Sequence, residues 1–333
     1  MPFLIAFFLW FSLFSQGNAQ CVGTDLIDAL SAETRAHLQD RAATHPFAEG
    51  NFWRATRDGQ TIDMIGTYHL ADPRHDPSLE HATTLLAEAG TLLVEAGPDE
   101  MARITQAVTS RPGFMFILDG PTLPELLSPS DWAAVSQAAA ARGVPGFLAA
   151  KMRPWYIATL LSVPGCAMDA MRKEGALGLD QRVIALAQQS ALPIVALEPF
   201  DTLFTIFSSL SAEQELEMVR GFLAMESRPE DLMITLANAY FRGETRLIWE
   251  FTLFEAMNTP GFDKQKTETL FALMEDVLMT RRNKAWIPVL EQAAVDNGRI
   301  LAAFGALHLP GETGVLALLR DRGWQITPNP PGP

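Results

Sequence analysis

The chain has 333 residues, 48% hydrophobic and 19% charged, enough apolar material for the packed core of one large domain or two smaller ones, and too apolar for disorder away from the ends. A formal net charge of −14 and the lack of any basic run argue against a nucleic-acid partner, because phosphates are held through clustered Lys and Arg. The same charge repels an anionic membrane surface.

Residues 1–19, "MPFLIAFFLWFSLFSQGNA", carry no charged side chain and end with the small residues Gly17 and Ala19 around Asn18. This pattern predicts a signal peptide removed after Ala19, and hence a periplasmic or secreted protein with no stable membrane span after cleavage. An uncleaved anchor is the alternative, although the block falls short of the ~20 residues that a spanning helix needs. The two cysteines, Cys21 and Cys166, fit a disulfide in an exported chain better than a thiolate metal site, with two unpaired thiols as the other reading.

The stretch "FWRATRDGQTIDMIGTYHL" predicts a hairpin turning at Asp58-Gly59, its second strand running into Gly66 and His69. Asp76-Pro77 then reads as a cap and first-turn proline opening the helix "SLEHATTLLAEA", and "TLLVEA" as a buried strand ending near Glu95. From about 100 to 180 the pattern is helical, including a helix capped by Ser130 or Asp131 and closed by Gly143. "GLDQRVIALAQQ" supplies a helix, "PIVALE" a strand ending at Glu198, and about 201–297 a second helical stretch. The chain closes with strand "RILAAFGALHL", helix "GETGVLALLRDRG" and strand "WQIT", a second βαβ-like unit.

These elements predict an α/β fold: a central, mostly parallel β-sheet with flanking helices and large helical insertions, opening with a β-hairpin. They are expected to form a single domain over 20–328, with 329–333 as a flexible tail.

Gly-x-x-His-Leu occurs twice, at 66–70 and 305–309, each time where a strand gives way to the next element. With 23 glycines and 6 histidines, chance predicts roughly 0.4 Gly-x-x-His matches, so the shared context rather than the count makes the pair informative. Ligands of open α/β sheets sit beyond the carboxyl ends of the strands, where His69, Glu95, Glu198 and His308 all fall. Two imidazoles with carboxylates form a donor set suited to Mn, Co, Zn or Fe, and such an ion would generate a nucleophilic water. Arg282 is a candidate to polarise the substrate. Asp180 reads as a helix cap or as a polar group facing the site, Asn283 as a surface residue or a substrate contact, and His75 as a solvated loop residue or a third ligand.

The segments "FWRATRDGQTIDMIGTYHLADPR", "LLVEAG", "GLDQRVIALA", "LEPFD", "RRNKAWIPVL" and "FGALHLPGETGVLALLRDRGWQI" together resemble the TraB/GumN (PrgY) family, which includes the Tiki proteases and is related to the erythromycin esterase and ChaN-like folds. The resemblance implies a metal-dependent, peptidase-like hydrolase acting on a peptide or small molecule. It carries over the two motif histidines as His69 and His308, the glutamate as Glu95 and an Arg-Asn pair as Arg282 and Asn283, with Asp180 and Glu198 at recurrent family positions. The site expected from them has His69, His308 and Glu95 as metal ligands, Glu95 and Arg282 as catalytic groups, and Asn283, Asp180 and Glu198 as substrate contacts. The alternative is a non-catalytic envelope protein that binds a ligand or assists polysaccharide biosynthesis or export. Neither reading sets an oligomeric state.

Overall fold

Asp58 and Gly59 turn the chain with positive φ angles of 51° and 81°, joining β1 (Phe52–Arg57) to β2 (Gln60–Thr67) antiparallel in the computed structural model, which describes residues 21–260 and 262–332. β3 (Leu92–Val94), β4 (Ile194–Ala196), β5 (Arg299–Gly305) and β6 (Gln325–Pro328) complete one sheet in the order β4-β3-β5-β2-β1-β6. β2, β5, β3 and β4 run parallel. The last strand to be made of these four therefore slots between β2 and β3, with Thr67 opposite Gly305 and Val94 opposite Ala303.

The central strands are covered on both faces and read as apolar runs without strict alternation. On one face Met64, Ala302 and Phe304 pack under Trp286 and Leu290 of the helix Arg281–Asn297 and Leu316 of the helix Val315–Arg320. On the other face Ile65, Val94, Leu301 and Ala303 meet Ala82 and Leu85 of the helix Asp76–Leu86 and Val183 of the helix Leu179–Gln189. The result is three layers, helix on sheet on helix. The helical stretches inserted after β3 and β4 build their own apolar clusters, one around Leu123, Ile157 and Val219, another around Tyr240, Leu247 and Phe251.

At the amino end of β2 and β5, Asp63 is buried between Arg54 and Arg299, each donating to it within 3.0 Å, and accepts from Asn329 as well. Cys21 and Cys166 form the expected disulfide, closing a separation of 145 residues. Among the described residues no helix is long and apolar enough to cross a membrane. The apolar block 1–19 and its cleavage point lie outside the described residues.

Several local readings change. β6 pairs antiparallel with β1 at the sheet's edge, and because the hairpin has already reversed β1, β6 runs in the same direction as β5: the closing unit is βαβ-like as expected, but β2 and β1 lie between its two strands. β4 is an edge strand, and it leaves Val195 exposed although the segment is apolar. The helix Pro129–Ala141 is capped by Ser128, whose hydroxyl accepts from the Asp131 amide, two or three residues before the positions read from sequence. Asp76 is already helical, and the capping carboxylate is Asp72, which accepts from the Arg74 amide at the 3-10 turn Pro73–His75.

Candidate functional site

The two Gly-x-x-His frames are neighbours because β2 and β5 are. A Cβ on Gly66 would come within 2.6 Å of the Leu309 side chain and 2.9 Å of the Ala306 backbone, so the first glycine lets the segment after β5 lie against β2. A Cβ on Gly305 would come 3.2 Å from Nε2 of His69 and 3.3 Å from Oε1 of Glu95. The second glycine therefore leaves room for the first histidine and the glutamate. Each frame uses its glycine to make space for the other strand's residues.

Arg282 lies at the centre. A π-helical turn, Asp276–Thr280, leads into the helix that carries it, a local widening of a kind frequent at functional sites. Its Nε and Nη2 donate to the two oxygens of Glu198 at 2.8 and 2.7 Å, and Nη2 also donates to Oε2 of Glu95 at 2.6 Å. Nη1 donates to the Leu278 carbonyl and to Nε2 of His308, both at 3.2 Å. All the N–H donors of the guanidinium fork are thus used. Trp286, one helical turn on, donates from Nε1 to Glu198 at 3.0 Å and lies under both the guanidinium and the His308 ring.

Asn283 settles the His308 tautomer. Nδ2 of Asn283 donates to the Thr313 carbonyl at 2.9 Å, which turns Oδ1 toward Nδ1 of His308 at 2.6 Å. Nδ1 therefore carries the proton, and Nε2 accepts from Arg282. Burial pushes the His308 pKa down, the charge of Arg282 acts in the same direction, and together they outweigh Glu95 and hold it at about 3. Glu95 ends on the opposite balance. Burial pushes its carboxyl up, but Arg282, His69 and the Gly305 amide, which donates at 2.7 Å, hold it at about 2.

His69 is different in kind. Its ring is open to solvent over 62% of its surface and faces Asp180, with Nδ1 at 3.3 Å from Oδ1. Partial desolvation lowers its pKa, but the Asp180 and Glu95 carboxylates outweigh that and raise it to about 8, leaving a cation at neutral pH. Asp180 is the second residue of its helix, whose cap is Gly178, so it is not the cap that spacing favours. His75 is no solvated loop residue: it is fully buried against Tyr68, Tyr240 and Phe241, with Nε2 on the Leu70 carbonyl.

This arrangement overturns the metal expectation. Among the described residues no group of three or more His, Cys, Asp or Glu side chains is disposed to hold an ion. The reason is visible in the geometry: the Arg282 guanidinium occupies the place between the carboxylates that an ion would need, and its N–H consumes the Nε2 lone pair that His308 would offer. His69 turns its Nδ1 to Asp180. The readings of a metal-dependent hydrolase, of a metalloprotease, of His69, His308 and Glu95 as ligands, and of bound Mn, Co, Zn or Fe are corrected accordingly. The structure does bring together His69, Glu95, Asp180, Glu198, Arg282, Asn283 and His308. Sequence reasoning missed Trp286, for which the only signal is its position four residues after Arg282, on the same helical face.

The signature of the TraB/PrgY/gumN family matches residues 51–328. The chain is also similar to the uncharacterized protein YbaP of Escherichia coli (strain K12) and of Shigella flexneri. In each case it is 25% identical over 261 residues, covering 77% of this chain and 87% of the relative.

Proposed function

The chain belongs to the TraB/PrgY/gumN family, and from that premise we propose that it is an exported, non-catalytic envelope protein that captures a neutral polyhydroxylated ligand, of saccharide type, at the mouth formed by His69, Glu95 and Asp180. We read residues 20–328 as one domain serving that mouth. Kinship with the Tiki proteases and the erythromycin esterase and ChaN-like folds belongs to the same proposal, and it transfers no substrate.

The observation that carries the reading is the pairing of a donor and an acceptor over the missing Cβ of Gly305. The protonated Nε2 of His69 and Oε1 of Glu95 both crowd that position, 3.2 and 3.3 Å from where a Cβ would stand, which sets the donor and the acceptor side by side. A hydroxyl group is donor and acceptor at once, so adjacent hydroxyls of a sugar satisfy both. An anionic ligand is opposed by Glu95 and Asp180 and by the net charge of −14. Behind the mouth, Arg282 and Glu198 neutralise each other and hold Glu95 in place without reaching for a ligand.

The test is titration calorimetry of the purified protein against neutral oligosaccharides and their uronate counterparts, with product analysis by mass spectrometry. Saturable binding of neutral saccharides without product is expected. It should weaken about 10- to 100-fold in His69→Ala and Glu95→Gln, the worth of a hydrogen bond to a charged group. Preference for uronates, or variants that bind as wild type does, would sink the reading.

A further inference from the structure

A cavity that shares no lining residue with the mouth lies against Tyr68 and Leu70, on either side of His69 in the chain. It measures about 600 Å³, inside the roughly 300–1,000 Å³ range of small-molecule sites. Its walls come from the loop after β2, the helices Gly165–Glu174 and Pro229–Phe241, and the start of the helix Leu179–Gln189. The disulfide between Cys21 and Cys166 fastens one wall covalently.

The lining is divided by chemistry. Ala170, Met171, Leu177, Met233 and Ile234 make an apolar part. Met171 and Leu177 stand 46% and 48% exposed at its rim, beside the other apolar residues of the slot. Methionine adapts its shape to flexible apolar chains.

Arg182 and Tyr68 make a polar part. Arg182 gives one Nη2 hydrogen to Asp76 at 2.7 Å, and its Nε and Nη1 donors find no acceptor among the described residues. The Tyr68 hydroxyl likewise has no hydrogen-bond partner among them, and burial pushes its pKa up, so it remains a donor. The other charges here cancel: Asp72 is held by both Nε and Nη2 of Arg74, whose Nη1 is spent on Asn238. The net result is an apolar slot ending in donors free to bind a ligand's oxygens: the Nε and Nη1 groups of Arg182, whose charge Asp76 shares, and the Tyr68 hydroxyl.

We infer that this cavity binds a single-chain amphiphile with an anionic head, the apolar chain lying along Met171, Leu177, Met233 and Ile234 and the head accepting from Arg182 and Tyr68. The shared chemistry is an oxyanion on an alkyl chain, and a carboxylate and a phosphate monoester both supply it. Guanidinium donors match either one.

The experiment is calorimetric titration of the purified protein with dodecanoate and dodecyl phosphate. Dodecanol, dodecyltrimethylammonium, acetate and inorganic phosphate serve as controls. One site per chain is expected for at least one of the two anionic amphiphiles, and which one binds identifies the head. Removing two methylenes should weaken binding about tenfold, and the heads alone should not bind.

Met171→Trp, at the exposed rim, and Ala170→Trp fill the slot and should abolish binding with the circular dichroism unchanged. Arg182→Gln should erase the preference for anionic over neutral heads while leaving dodecanol binding as it was, which a general loss of structure would not do. The inference is overturned by absence of saturable binding to both anionic amphiphiles, by binding that survives both tryptophan substitutions, or by equal binding of the cationic and anionic chains.

Discussion

Replacing Arg282 by alanine tests whether a guanidinium stands where an ion was expected. The side chain is 9% exposed, and it is the cation shared by Glu198, 10% exposed, and Glu95, 22% exposed. Removing one partner of a buried pair costs about 3–5 kcal/mol, because the remaining charges lose their compensation inside the protein. Glu95 keeps some water, which places the expected loss near the lower end, about 3 kcal/mol. Arg282→Lys should lose about half as much. An ammonium keeps the charge, but its three donors cannot reach both carboxylates, the Leu278 carbonyl and His308 together. Adding Glu198→Gln to Arg282→Ala should recover part of the loss by removing one orphaned charge, a coupling read from a double-mutant cycle. The assay is urea unfolding followed by tryptophan fluorescence and circular dichroism, whose transitions must coincide for the free energies to be defined. An Arg282→Ala protein within about 1 kcal/mol of wild type, or a lysine variant equal to wild type, would refute the assignment.

Stability should peak near pH 6.5. His308, held at about 3 against its usual 6.5, and Glu95, held at about 2 against 4.5, both bind protons more readily unfolded, so stability falls as pH drops through those windows. His69, raised from 6.5 to about 8, acts in reverse: its contribution is present below 6.5 and fades as pH rises through 8, weakly because the ring is solvated. Urea midpoints measured from pH 3 to 9 check both limbs, and a flat profile below pH 6.5 contradicts them. Protein equilibrated with excess Mn, Co, Zn or Fe and then desalted should carry well under one ion per chain by mass spectrometry. Stoichiometric metal that disappears in a folded His308→Ala variant would restore the ion and displace Arg282 from its role.

Much of the frame was legible because it is local. Asp58-Gly59 announces its turn, and Glu95 and Glu198 each follow an apolar run short enough to be a strand. The two Gly-x-x-His frames announce a shared place, since both glycines are demanded by close approach. What was not legible depends on distance. Nothing near Arg282 in the sequence says that Glu95 and Glu198 will close around it, and so the histidines and carboxylates read as a set awaiting a metal. Asp180 has the local look of a cap, and only the packing of its helix beside Tyr68, whose carbonyl accepts from the Leu179 amide, turns it to His69. His75 sits among polar loop residues yet is covered by Tyr240 and Phe241, more than 160 positions away. Trp286 reads as ordinary core, which it also is, since its ring packs on Phe304 while its Nε1 serves Glu198.

The position of β5 opposes the order of synthesis to the order of assembly. A ribosome that has delivered the chain through Asn297 has already made His69, Glu95, Glu198 and Arg282, yet β2 and β3 still lack the strand that lies between them. The keystone arrives last, and with it His308. Contacts this distant in sequence close slowly, after the local helices have formed. A premature stop before Arg299 therefore leaves no weakened version of the site. It leaves two halves of a sheet with a gap at the centre, apolar on both faces and exposed to whatever binds unpaired strands.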